Sequence, residues 1–188
     1  MSYSISVQRY QAGELAPPDR VAVLAVLRRH CADSGGRFDS YDIGFADRSR
    51  VEFSAYGLET GIVEGPSWQF RNGGPGWVFR VREFSPLIVQ FIFDVATAGD
   101  FTICNSMGTS NPAHPENPAT IFMHPGQAAH FPAAPPLLPV HLRPCPNATV
   151  CMSVRHLTQL LRPGFARWEA SYRPRRSWLA RLISATAD

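Results

Sequence analysis

Apolar and polar residues alternate at the start of the chain. Tyr3, Ile5 and Val7 interleave with Ser4, Ser6 and Gln8, which predicts a strand with one buried face. Pro17-Pro18-Asp19 then opens a helix in which Val21, Leu24, Ala25, Leu27 and Arg28 set an amphipathic pattern, ended by Gly35-Gly36. Residues 41–45 and 51–56 read as two strands of a hairpin joined through Asp47-Arg48-Ser49. Residues 68–70 and 77–81 read as a second hairpin around the turn Asn72-Gly73-Gly74-Pro75-Gly76.

The densest apolar stretch follows. Ile88, Phe91, Ile92 and Val95 recur at helical spacing, with Leu87, Val89 and Phe93 on the flanks and only Gln90, Asp94 and Thr97 suited to water. Ser85 is placed to cap this helix, Pro86 suits its first position, and Gly99 is expected to close it in the left-handed conformation. A helix apolar on so much of its circumference is expected to lie almost wholly out of water. Residues 101–104 read as an interior strand after it. The order β-α-β-β-β-α-β predicts an α+β fold, a mostly antiparallel sheet with helices on one face.

Beyond this core, residues 106–146 hold more than half of the 17 prolines, which excludes long regular elements there. Short pieces remain: residues 120–123 as a strand, 126–130 as a helical turn, and 140–142 and 149–152 as further strands. Ser153 caps a helix carrying Val154, Leu157, Leu160 and Leu161, expected to close near Pro163-Gly164. Residues 177–186 form a last helix with Trp178, Leu179, Leu182 and Ile183 on one stripe. The division expected is an α+β core over 1–105, a proline-rich wrap over 106–152, and a helical segment over 153–188 packed on the same domain.

Charge changes the picture at one end only. The net charge is +3 over 188 residues, but residues 1–140 carry 10 Arg against 13 acidic residues and residues 141–188 carry 8 Arg against 2. Every basic residue except histidine is Arg. Arg173, Arg175, Arg176 and Arg181 surround Trp178, a combination that serves phosphate, nucleic acid or an anionic membrane, or simply a docked helix with a wet basic face. The first residues carry neither a charged leader nor a long apolar run, so the expected location is the cytoplasm. In that setting Cys145 and Cys151 are expected as free thiols rather than a local disulfide.

Four patterns invite chemistry. The Gly-rich segment 72–76 leads into a strand rather than a helix, so it reads as a turn and not a phosphate loop. His114, His124, His130 and His141 share one proline-rich region but match no metal-binding spacing. Asp39, Asp42 and Asp47 lack the oxygen-ligand pattern of a calcium loop. His30 and Cys31 are adjacent on a helix, roughly 100° apart, and so are poorly placed to engage each other. No catalytic residue, metal or cofactor is expected from these patterns.

Residues 2–10 with Gly13-Glu14, residues 51–57, Gln127-Ala128-Ala129-His130-Phe131-Pro132, and Phe165-Ala166-Arg167-Trp168 with Tyr172-Arg173 together resemble small stand-alone α+β proteins of GC-rich bacteria. Some of these are similar to immunity proteins that neutralise polymorphic toxins. The resemblance implies a non-enzymatic bacterial protein whose partner is a cognate protein toxin, with neither nucleic acid nor membrane as partner. Aromatic and Arg anchors dominate such interfaces, which makes Trp68, Arg71, Arg175, Arg176 and Trp178 the expected partner-binding residues. The competing readings are an adaptor for nucleic acid or a membrane surface, working through the basic C-terminal helix, and an enzyme of unrecognised type using the histidine region.

Overall fold

The computed structural model describes residues 2–34, 42–55, 76–109, 111, 113–131 and 147–172. Within these, the chain forms strands β1 (Tyr3–Gln8), β2 (Tyr10–Gln11), β3 (Glu14–Leu15), β4 (Asp42–Gly44), β5 (Arg50–Ala55), β6 (Gly76–Val81), β7 (Thr102–Asn105), β8 (Thr120–Phe122) and β9 (Ala148–Val150). The helices are α1 (Arg20–Ser34), α2 (Pro86–Ala98), α3 (Gln127–His130) and α4 (Val154–Tyr172). The class is α+β, as the alternating pattern predicts.

Seven strands form one sheet in the order β4-β5-β6-β1-β7-β8-β9. Every pairing is antiparallel except β8 with β9. The first strand therefore lies at the centre, between two strands that come much later in the chain. Its odd-numbered residues face the helices: Tyr3, Ile5 and Val7 join Phe79, Val81, Ile103 and Ile121 in one buried cluster with Ile88, Phe91, Ile92, Val95, Leu157 and Leu161. Each such side chain removed from water contributes about 1.5–3 kcal/mol.

Ser85 caps α2 as expected, its Oγ accepting the Leu87 amide at 3.2 Å, with Pro86 at the first position. The far end differs from expectation. Gly99 has φ −90°, and Asp100 takes the left-handed conformation with φ 54°. The Asp100 amide donates to Thr97 at 3.3 Å and the Phe101 amide to Ala96 at 2.8 Å, the paired bonds of a Schellman closure. Gly99 is required for space instead: a Cβ there would stand 2.1 Å from Cε2 of Phe101. Nor is α2 covered all round, since Leu87 is 39% exposed.

In α1 the inward stripe has Val23 and Leu27 buried and Val26 and His30 half-buried beside them, while Val21 lies in water at 80% exposure. The stripe is thus rotated from the predicted one, because α2 meets α1 on the side where His30 finds a carboxylate. Asp19 caps α1 through Oδ1, which accepts the amides of Val21 and Ala22 at 3.0 and 3.1 Å. The last described helix also departs from expectation: α4 continues through Pro163 and Gly164 to Tyr172. Pro163 lacks an amide and so omits one helical bond, but Phe165 and Trp168 beyond it are buried and extend the stripe of Leu157, Leu160 and Leu161. The small hairpin β2–β3 has no counterpart in the predicted elements. Its turn, Ala12-Gly13, has φ 51° and 84°, a conformation usually signalled by Asn-Gly or Asp-Gly.

Candidate functional site

Trp68, Arg71, Arg175, Arg176 and Trp178 lie outside the described residues, as do His141, Asp39, Cys145, residues 72–75 and the expected elements 68–70, 140–142 and 177–186. Of the sequence candidates, His30, His114, His124, His130 and Asp47 make side-chain or backbone contacts. His30 Nε2 and Arg29 Nη2 both reach Asp94 Oδ2, at 2.9 and 2.7 Å, and Gln90 donates to Oδ1 at 2.7 Å. Asp94, predicted to face water, instead ties α1 to α2, with Phe91 edge-on to the His30 ring. His114 pairs with Glu116 at 3.3 Å on the surface. His130 accepts the Gly13 amide on its backbone carbonyl at 3.0 Å and so docks the β2–β3 hairpin.

Two aspartates organise longer connections. Asp100 accepts Arg9 Nε at 3.3 Å, His124 Nε2 at 2.8 Å and Gln127 Nε2 at 3.0 Å. Its partial burial pushes its carboxyl up, but the bonds from His124, Gln127 and Arg9 outweigh this and leave it below the usual carboxylate range. Asp47, in the β4–β5 turn, accepts the Ser49 hydroxyl and, on its other oxygen, the Ser85 hydroxyl, and these hold it low as well. The turn is thereby tied to the start of α2. Cys104 and Cys151 are buried and not disulfide-bonded, and burial pushes the Cys151 thiol up from its ordinary value. Among the described residues, no three His, Cys, Asp or Glu side chains converge as a metal site. No described helix is long and apolar enough to cross a membrane.

A different group of side chains converges around a hollow. Arg50, Glu52, Arg80, Arg82 and Glu83 line a shallow cleft of about 180 Å³. Strand alternation puts Arg50, Glu52 and Arg80 together. Val51 and Val81 are buried in the core, so their neighbours within β5 and β6 point to the opposite face of the sheet, and the bend after β6 adds Arg82 and Glu83. Glu52 lies directly across from Arg80, and Arg80 in turn from Ser4 of β1. Arg82 Nη2 binds Glu52 Oε1 at 2.5 Å, and Glu83 Oε1 accepts the Arg50 amide at 3.1 Å. Chemically the cleft offers guanidinium forks and carboxylates at the β5–β6 pair and the bend after it, suited to charged hydrogen bonding with a partner.

The five residues were not among the sequence candidates. The signal was present, in Arg50-Val51-Glu52 and Arg80-Val81-Arg82-Glu83, two short charged runs each with a valine between charges. What was missing was the pairing of β5 with β6, which are separated by 20 residues. Comparison of the chain with family models, curated proteins and solved structures finds no match.

Proposed function

We propose that this chain is a non-enzymatic binding protein, and specifically an immunity protein that neutralises a cognate toxin by covering part of its surface. The observation that best supports binding is the charged cleft. Arg50, Glu52 and Arg80 project from the paired strands β5 and β6, and Arg82 and Glu83 from the bend that follows β6, so charged side chains of both signs are gathered on one face. Arg supplies planar, bidentate recognition of carboxylates, and Arg is enriched at interface anchors. The particular partner class rests on the resemblance of the sequence motifs to those of immunity-like proteins.

Neutralisation leaves almost no free toxin, so the dissociation constant is nanomolar or below, about −12 kcal/mol. The complex buries roughly 1,200–2,000 Å². The test is co-expression with the products of adjacent genes, followed by co-purification and by rescue of cells making the toxin. A stable complex with rescue is the expected result. A chain that neither binds nor protects against any neighbouring product overturns the immunity reading.

A further inference from the structure

We infer that β9 is a self-pairing edge, at which two copies of this chain join antiparallel strands about a two-fold axis. The inference is independent of the partner class proposed above. β9 lies at one border of the sheet, bonded in parallel to β8 with Thr149 opposite Ile121. The Cys151 amide donates inward to the Phe122 carbonyl at 2.6 Å. In a parallel pair alternate residues turn both main-chain groups to the same neighbour. Thr149 therefore faces β8 as the Cys151 amide does, and Ala148 and Val150 turn their amides and carbonyls outward. No strand lies beyond them among the described residues. Ala148 is exposed and Thr149 and Val150 are half-buried, so this border is open to water. Met152, just past the strand, adds an apolar side chain at 74% exposure.

Sheets guard such borders with charge, proline, a bulge or a covering element. β4, at the opposite border, begins with Asp42 and has α1 packed against it. β9 carries neither charge nor proline, and its Thr and Val favour strand pairing. The strand suits its own copy. A two-fold axis at Thr149 sets Ala148 opposite Val150 of the second copy, and Val150 opposite Ala148. These are the residues whose main-chain groups point outward, so each pair exchanges both hydrogen bonds. Thr149 then meets Thr149, a favourable cross-strand pair, and the strands bring no like charges together. Such a contact uses the same surface on both copies and closes at the dimer. So short a strand buries far less than the roughly 1,200–2,000 Å² of a stable interface, so the dimer is weak and reversible.

The experiment is sedimentation equilibrium of the full chain, loaded at about 10 μM to about 1 mM. The expected result is an average mass that climbs from monomer toward dimer across the series. Ala148→Lys sets a charge on the edge of both copies and weakens association about tenfold or more. Because Ala148 is exposed, that variant keeps its unfolding midpoint within about two degrees of the parent. Ala148→Val, neutral and strand-favouring, associates at least as tightly as the parent. A chain that is monomeric at every concentration overturns the proposal. Association that Ala148→Lys leaves unchanged overturns it too, and places the contact elsewhere on the surface. Equal weakening by both substitutions also overturns it, since a strand pair tolerates valine. A monomeric parent whose toxin complex is lost in Ala148→Lys overturns it as well and gives the edge to that partner.

Discussion

The phenol of Tyr3 donates a hydrogen bond of 2.6 Å to Oδ1 of Asn105, 102 residues away, and both side chains are shut off from water. The bond joins the first strand to the end of β7, where the chain leaves the sheet. Asn105 also accepts the Met107 amide at 3.1 Å and donates to Asn117 at 3.2 Å and to the Pro118 carbonyl at 3.3 Å. Asn117 donates back to the Met107 carbonyl at 3.0 Å. The excursion between β7 and β8 is thus closed on itself and anchored to the centre of the sheet.

Removing each end of the Tyr3–Asn105 bond is predicted to cost different amounts. Tyr3→Phe leaves Asn105 Oδ1 still bonded to Met107, so the loss is that of one hydrogen bond, about 1 kcal/mol. Asn105→Ala strands the buried phenol and frees the Asn117 end of the loop, and is predicted to cost at least about 2–3 kcal/mol. Urea unfolding of the two variants measures the difference. Equal losses contradict this account of the network.

Alkaline unfolding is predicted to begin near the ordinary tyrosine range. Burial pushes the phenols of Tyr3 and Tyr10 well above their usual value of 10.0, with Cys104 adding to the shift at Tyr10. Above about pH 10 the unfolded chain releases these protons while the folded chain keeps them. Unfolding is then favoured, and stability falls as pH rises. Tyr3→Phe makes the decline between about pH 10 and 12 shallower. An unchanged slope in that variant shows that Tyr3 takes no part.

Acid acts through Asp47 and Asp100, whose folded carboxyls both titrate below their ordinary value of 3.8. A depressed folded value means that the unfolded chain binds protons first as pH falls. The stabilisation is complete above the ordinary value and is lost as pH drops through the folded one. Asp47→Asn is predicted to lower the urea midpoint at neutral pH and to flatten the acid limb of the stability curve. A parallel curve, merely shifted down, assigns Asp47 a steric role instead.

The left-handed backbone at Asp100 gives a prediction that separates strain from bonding. Asp100→Gly and Asp100→Ala both lose the contacts with Arg9, His124 and Gln127. Glycine occupies φ 54° without a Cβ penalty and alanine does not. Alanine is predicted to be the less stable by about 1–2 kcal/mol. Equal stabilities mean that the helix closes differently once the carboxylate is gone.

Ile92 tests the position of the core. It is fully buried in α2. Ile92→Ala is predicted to cost about 2–5 kcal/mol, and Ile92→Asp to abolish folding, against a total stability of about 5–15 kcal/mol. A soluble Ile92→Asp protein with a cooperative transition refutes the placement of α2 at the centre of the molecule.

The elements of this chain follow from local physics that the sequence carries openly. Alternation at Tyr3, Ile5 and Val7, the Ser85-Pro86 start and the 3.6-residue recurrence of Ile88, Phe91, Ile92 and Val95 mark the elements and their apolar faces, although the central place of β1 buries Ser6 and Gln8 on its other face as well. Together they determine an α+β class. Apart from the β4–β5 hairpin, which the short Asp47-Arg48-Ser49 connection already implied, tertiary structure decided which strands meet. The pairing of β1 with β6 and β7, and of β5 with β6, depends on long-range packing that no local period records. That pairing gathers Arg50, Glu52, Arg80, Arg82 and Glu83 into one cleft from two runs that read separately as ordinary wet strand faces. It likewise decided the roles of Asp94 and Asp100. An isolated aspartate on a helix or after a glycine reads as solvated, and only a neighbouring helix or loop brings the cations and amides that make it a tie between elements.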